Sequence, residues 1–416
     1  MNISAKMRYL VWLPETKIDV QIKVLLFLIS PFCGFLYALK RIKTKSSFVI
    51  FFMFALCFGM AFSPDKRGAE AYIDGQYYVE EMPVFASMSN EYFYNEFQKF
   101  LAFDDENKDY YYNTVAFYVS RFTDNYHVMF MLFAVVFAFF QLKTFRFFTA
   151  EENFNNSLIC ILLAFLFTYN QIFNINGMRF WTAAWIGVYC IFQIFFNNNK
   201  KYFLLVFCTP FFHGSFWVYI AVIVLAYLVR KYEKAWIVLF FISFIFSSFA
   251  IELIQNTIDY LPPFLARLVG SYTSYEAILS RQQEGTGFWM VGKIFNIAVK
   301  VYINLLVCLL IKNNTAIKNI KNKSLYHFLL VWMTFVNFVM PVPSLGNRFI
   351  ILAYPIIAYL WLGNLNGTKY RYWIYAIPLV FFMGIYSLLE LYISVLDFSF
   401  YFSSPLILII RYLLLV

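Results

Sequence analysis

The chain has 416 residues, of which 62% are apolar and only 13% charged. A soluble domain is nearer half apolar and a quarter charged, so this composition excludes a soluble globular protein and predicts an all-α polytopic membrane protein. The net charge of +10 fits cytoplasmic loops facing anionic lipid, and no basic tract interleaved with stacking aromatics points to a nucleic-acid partner.

Apolar runs of about 20 residues are read as spans. The first, near 22–39, follows a basic N-terminus but ends in Lys40-Arg41 without a small-residue cleavage site, so it reads as a span and not a signal peptide. The second lies near 46–63, after a loop holding Lys40, Arg41, Lys43 and Lys45. An acidic segment follows as a first outer loop, about 64–125, and spans three to five lie near 126–141, 157–173 and 179–196. The positive-inside rule puts Lys40–Lys45, Lys143, Arg146 and Lys200-Lys201 inside, and Arg179 outside. It leaves the basic N-terminus, with Lys6, Arg8, Lys17 and Lys23, on the outer side, a tension the charges do not resolve.

The run from Tyr202 to Val229 is broken by Pro210 and His213-Gly214 and has basic residues at both ends. A re-entrant pair of short helices keeps both clusters inside, whereas a single tilted helix with a proline kink would separate them. Backbone breaks of this kind occur at membrane depth where the chain is buried in protein or lines a wet cavity. Later spans lie near 235–254, 288–311, 325–340, 349–364 and 372–390, with a second outer loop at about 255–287, and a last apolar run, Phe398 to Val416, either crosses or lies in the interface. The expectation is one integral membrane domain over 1–416 with about 10–12 transmembrane helices. The six cysteines form no CxxC pair and read as free thiols.

Gly177-Met178-Arg179-Phe180 is echoed by Gly346-Asn347-Arg348-Phe349, and each copy opens an apolar span on the same expected face. An arginine there adds its donor fork to the free first-turn amides of a helix, a suitable arrangement for phosphate oxygens; the alternative is an interface arginine snorkelling to lipid headgroups. His213 is read either as a general base on a sugar hydroxyl or as a histidine hydrogen-bonded inside the bundle. Asp74 is the best carboxylate candidate of the first outer loop, against a solvated loop charge. The run Asp104 to Asp109 reads as solvated loop, and Tyr110-Tyr111-Tyr112 as interfacial belt in preference to a sugar platform. His127 and His327 read as interfacial. With no HExxH, Cys/His cluster or calcium-loop pattern, no metal or cofactor is expected.

Tyr169-Asn170, Asn176-Gly177-Met178-Arg179 opening a helix with Ala183 and Ala184, and Phe212-His213-Gly214-Ser215 together resemble the EpsG-like polymerases, relatives of the Wzy-type O-antigen and capsule polymerases; Ala71 to Tyr78 is similar to that family's Asp-and-Tyr stretch. The resemblance implies a GT-C-like, metal-independent glycosyltransferase. It would polymerise undecaprenyl-pyrophosphate-linked oligosaccharides at the outer face of the bacterial inner membrane, with a chain-length regulator as a possible further partner. On that reading Arg179 and Arg348 hold the donor pyrophosphate and His213 is base or orienting residue. An Arg-x10-Gly pattern described for some polymerases fits once, at Arg281 and Gly292, which adds Arg281 to the pyrophosphate candidates. The rival readings are a lipid-linked oligosaccharide flippase, which would need charges lining a path through the spans, and a polysaccharide ligase.

Overall fold

The computed structural model describes residues 12–64, 74–103, 109–261, 289–342 and 345–414, with positions 263, 266 and 270. Arg281, most of the 255–287 loop, Asp65 to Arg67 and Asp104 to Glu106 lie outside the described residues. The protein is an all-α polytopic membrane protein, and among the described residues there is no strand. Every apolar run read as a span is helical. Among the described residues four helical stretches are long and apolar enough to cross a membrane, or six if each sharply bent pair counts as one span. The other apolar helices are shorter or fold back.

The chain begins with α1 (Lys17–Ile29) and α2 (Pro31–Leu39). Ser30 caps α2 through its Oγ, which accepts from the Cys33 amide, and Pro31 opens that helix. Proline at this position needs no backbone donor, so the helix restarts in a new direction instead of continuing. The two arms pack so closely that a Cβ at Gly34 would stand 2.7 Å from the Phe27 Cα. Arg41 Nε lies 3.7 Å from Asp19 Oδ1, and buried Lys23 bonds Thr44 and Ser46. A straight helix would hold Asp19 and Arg41 about 33 Å apart. The expected first span is therefore a re-entrant hairpin, which places Lys17 and Lys23 at the end that carries Arg41 and Lys43 and eases the charge tension at those two residues; Lys6 and Arg8 lie outside the described residues.

Helix α3 (Lys45–Ala61) runs antiparallel to α7 (Tyr126–Thr149), with Phe48 against Phe145 at one end and Phe62 against Phe130 at the other. These contacts define a lysine end and an arginine end of the bundle. Between the two helices, the first outer segment is not a bare loop. It folds as α4 (Asp74–Ser87), α5 (Asn90–Leu101) and α6 (Tyr111–Val119) over the arginine end. Its tyrosines correct the interfacial-belt reading: Tyr110, Tyr111 and Tyr112 are buried, while Tyr92 and Tyr94 are exposed.

Helix α8 (Leu158–Phe167) turns through a 3-10 segment, Ile172–Gly177, into α9 (Met178–Ile191) and a π turn, Phe192–Phe196. Phe167 meets Phe192 at 6.0 Å, so the two arms are antiparallel. Next come α10 (Tyr202–Phe207), α11 (Thr209–Phe212) and α12 (Phe216–Leu228). Phe203 and Tyr227 stand 5.3 Å apart, and both Lys200 and Arg230 lie over the Tyr227 ring. A single helix would separate Phe203 from Tyr227 by about 36 Å. The segment is therefore a re-entrant hairpin, with His213 at its tip and both basic clusters at the lysine end.

The remaining helices are α13 (Glu233–Phe246), α14 (Ala250–Thr257), α15 (Trp289–Lys312), α16 (Ile320–Phe338), α17 (Leu345–Asn364), α18 (Ile377–Val380), α19 (Phe382–Val395) and α20 (Pro405–Ile409). Helices α16 and α17 are antiparallel, with Trp332 Nε1 donating to the Phe349 carbonyl near one end and Asn322 to Asn364 at the other. His327 is held at 2.8 Å from Glu233 at the lysine end, and His127 packs on Tyr412 at the arginine end. The last apolar run folds as a 3-10 turn, Phe398–Tyr401, and a short helix with a π turn that packs back on the bundle. Phe400 reaches inward to Phe54 and Phe58, and Ser30 Oγ at the first hairpin's tip donates to the Tyr401 carbonyl. Arg411 then returns to pair with Asp397 at 2.8 Å.

Candidate functional site

The arginine end gathers the tip of the α10–α12 hairpin, the first turns of α9 and α17, and the N-termini of α4 and α6. Phe180 is its hub. Its ring lies 5.8 Å from Phe349, 5.4 Å from Phe216 and 5.3 Å from His213, and the Arg348 guanidinium sits 5.3 Å from its centroid. The two Gly-x-Arg-Phe copies thus meet ring to ring, and the two arginines belong to one end of the bundle. Gly346 is required by close approach: a Cβ there would stand 2.6 Å from the Met340 Cα, which no side chain tolerates without moving backbone.

The two guanidinium groups differ in their surroundings. Arg179 Nε donates to Tyr78 Oη at 3.1 Å, and Nη1 meets Asp109 Oδ1 at 3.3 Å. Asp109 is buried, with 7% of its side chain exposed against 38% for Arg179, so the solvated-loop reading is corrected at this residue. The pair ties the α4–α6 layer to α9. Tyr112 adds a bond from its hydroxyl to the Tyr78 carbonyl, and the Tyr110 amide bonds the Phe211 carbonyl at the hairpin tip. Burial, opposed by the nearby Arg179 charge, pushes the Tyr78 phenol up to about 12, so it remains a neutral partner at neutral pH. Arg348 is half-buried, and among the described residues no carboxylate or hydrogen-bond acceptor meets it; its neighbour is the Phe180 face. A guanidinium keeps its charge and carries five donors, so Arg348 has its full fork to offer, while Arg179 has only what Tyr78 and Asp109 leave.

His213 is the C-cap of α11. The Ser215 amide donates to its Nδ1 at 3.2 Å, and Ser215 Oγ lies 2.8 Å from the same atom. A nitrogen that accepts an amide proton is itself unprotonated, so the neutral ring keeps its proton on Nε2. Asp74 opens α4, with Oδ2 3.6 Å from where a Gly177 Cβ would stand, and the neighbouring Gly75 amide donates to Asn176 Oδ1 at 3.0 Å. Asp74 is thereby beside the turn that presents Arg179. Arg281 lies outside the described residues. Among the described residues no group of three His, Cys, Asp or Glu side chains is placed to share a metal ion.

Two residues escape a reading of the sequence. Asp109 is hidden in a run of acidic neighbours, and only its position directly before Tyr110-Tyr111-Tyr112 hints that the chain is turning inward. Lys300 stands near the middle of α15, a helix that also carries Lys293, Asn296 and Asn304, and an ionisable residue so placed is a functional candidate by default.

The sequence model of the EpsG family matches residues 67–404, a stretch that holds every helix from α4 to α19 and with them both arginine turns, Asp74, Asp109 and His213. No curated protein and no solved structure matches the chain.

Proposed function

The chain belongs to the EpsG family, and from that premise we propose that it is an oligosaccharide repeat-unit polymerase, a glycosyltransferase that acts without a metal ion. It transfers a glycan from undecaprenyl pyrophosphate onto a second lipid-linked repeat at the outer face of the bacterial inner membrane. The observation that carries this reading is the open guanidinium of Arg348, set beside Phe180 and His213 on the rim that Arg179 also occupies. In the transfer, the sugar–phosphate bond of the donor breaks, the acceptor hydroxyl forms the new glycosidic bond and loses its proton, and lipid pyrophosphate leaves with the electron pair. Charge builds on that leaving group, and fixed donors aimed at developing charge lower the barrier most. Arg348 supplies the main grip, and Arg179 adds the donors left by Tyr78 and Asp109. His213 acts through Nε2–H as a donor that orients the pyrophosphate, in preference to the base role, because Nδ1 is already an acceptor. Asp74 receives the acceptor proton.

A flippase would predict a polar path through the bundle. The charged groups gathered here sit on one rim instead, which favours the enzyme. In cells that display the glycan on lipid A, loss of a polymerase leaves single-repeat caps, loss of a flippase leaves none, and loss of a ligase leaves polymer on the carrier. Gel banding of the glycan with and without the chain separates the three, and absence of all caps would overturn the polymerase reading.

A further inference from the structure

A second cation, Lys300, lies near the α16–α17 turn. It lines a cavity of about 410 Å³ with Ser247, Asn304, Asn337 and Met340. Asn337 Nδ2 donates to Asn304 Oδ1 at 2.9 Å, and Asn304 Nδ2 donates to the Lys300 carbonyl at 3.0 Å. The first bond fixes α15 against the arginine end of α16, the second stays within α15, and neither engages the ammonium. Among the described residues no acceptor meets that ammonium. A lysine without an acceptor in a largely apolar cavity is costly unless an anion or water joins it.

The mouth of the cavity opens beside an exposed apolar face of α15, of the kind that meets lipid. Val301, which also lines it, is 58% exposed, and its helix neighbours Ile294 and Ile297 are exposed as well. An apolar approach that ends in one cation suits a molecule with a long hydrocarbon tail and a phosphate head. The cavity also borders the proposed catalytic rim, because Met340 is the residue whose backbone packs against Gly346, two positions before Arg348. A polymerase joins two lipid-linked substrates and must hold two phosphate heads at once, and the open cation at Arg348 accounts for one.

We propose that the Lys300 cavity receives the pyrophosphate of the second, acceptor lipid, which enters sideways from the bilayer. The inference rests on the polymerase reading for the word acceptor, but not for the binding site itself. Lys300 grips the phosphate oxygens, the tail runs out past Val301, and the sugar end crosses the turn toward Phe180. Donor and acceptor then meet across the α16–α17 turn.

The test is native mass spectrometry of the purified full-length protein titrated with a polyisoprenyl pyrophosphate. The wild type is expected to bind two molecules. Lys300→Met and Arg348→Gln are each expected to bind one, with at least a tenfold loss at the site removed, while Lys300→Arg keeps both. Elution as a single monodisperse species shows that each variant is folded. Equal two-site binding by Lys300→Met overturns the proposal, as does displacement of the lipid from this site by phosphatidylglycerol or inorganic phosphate at matched concentration. If the wild type binds two lipids in a Lys300-dependent way but makes no polymer from lipid-linked repeats, the polymerase reading fails and the site stands. If it makes polymer and Lys300→Met binds normally, the site fails and the reading stands.

Discussion

The two Gly-x-Arg-Phe turns carry the same residues to the same end of the bundle, and the protein uses them differently. At the first turn the arginine is built in: Arg179 bridges Tyr78 and buried Asp109, and so pins the α4–α6 layer onto α9. At the second the glycine is built in, pressed against the Met340 backbone, and the arginine is left open. A motif therefore fixes where a side chain starts, while its neighbours decide whether it holds the fold or meets a ligand.

The largest expected effect falls on the open arginine. Arg348→Gln should slow chain elongation about 100- to 1000-fold, the usual cost of removing one donor to developing charge, with little change in thermal midpoint. Arg179→Ala should behave in the opposite way. Stripping the cation from buried Asp109 should cost about 1–3 kcal/mol, read as a lowered midpoint of the purified protein, and activity should fall as the outer layer loosens. If both variants lose activity at unchanged stability, the contrast between the turns is wrong.

The glycines invert the order. Gly346→Ala must push against backbone, an overpacking cost of about 1–3 kcal/mol, and should displace Arg348 and lower elongation. A Cβ at Gly177 would come nearest to the Trp181 side chain at 3.3 Å and to Asp74 at 3.6 Å, with no backbone atom closer, so Gly177→Ala should be far milder in the same two assays.

The smallest effect is a pH dependence. Burial holds the Tyr78 phenol at about 12, above its ordinary value of 10.0. A folded-state value above the unfolded one contributes stability that is complete below pH 10 and is lost as pH rises from there toward 12. The thermal midpoint should be insensitive to this group from pH 7 to 9 and fall above 10, with a shallower fall in Tyr78→Phe.

Much of this is legible in the sequence. Composition alone gives the membrane class, and basic clusters flanking Pro210 and His213-Gly214 indicate a hairpin because one crossing would split them. The echo of Gly-x-Arg-Phe signals that Arg179 and Arg348 share an end. The first hairpin is signalled too, by Ser30-Pro31 within an apolar run, but run length outweighs a local cap when the two are read together. The burial of Asp109 is not readable, because it depends on the distant Arg179 and on the packing of three successive tyrosines. The partnership of Arg179 against the openness of Arg348 is invisible for the same reason: matching local sequences differ only in what the rest of the chain folds against them.

The central claim is that the Arg348 guanidinium grips the departing lipid pyrophosphate. The most direct test supplies purified protein with lipid-linked repeats and resolves the products by length. The wild type should yield a ladder, and Arg348→Gln, folded and equally abundant, should leave the single repeat unextended. A ladder of wild-type length and intensity from Arg348→Gln would contradict the account.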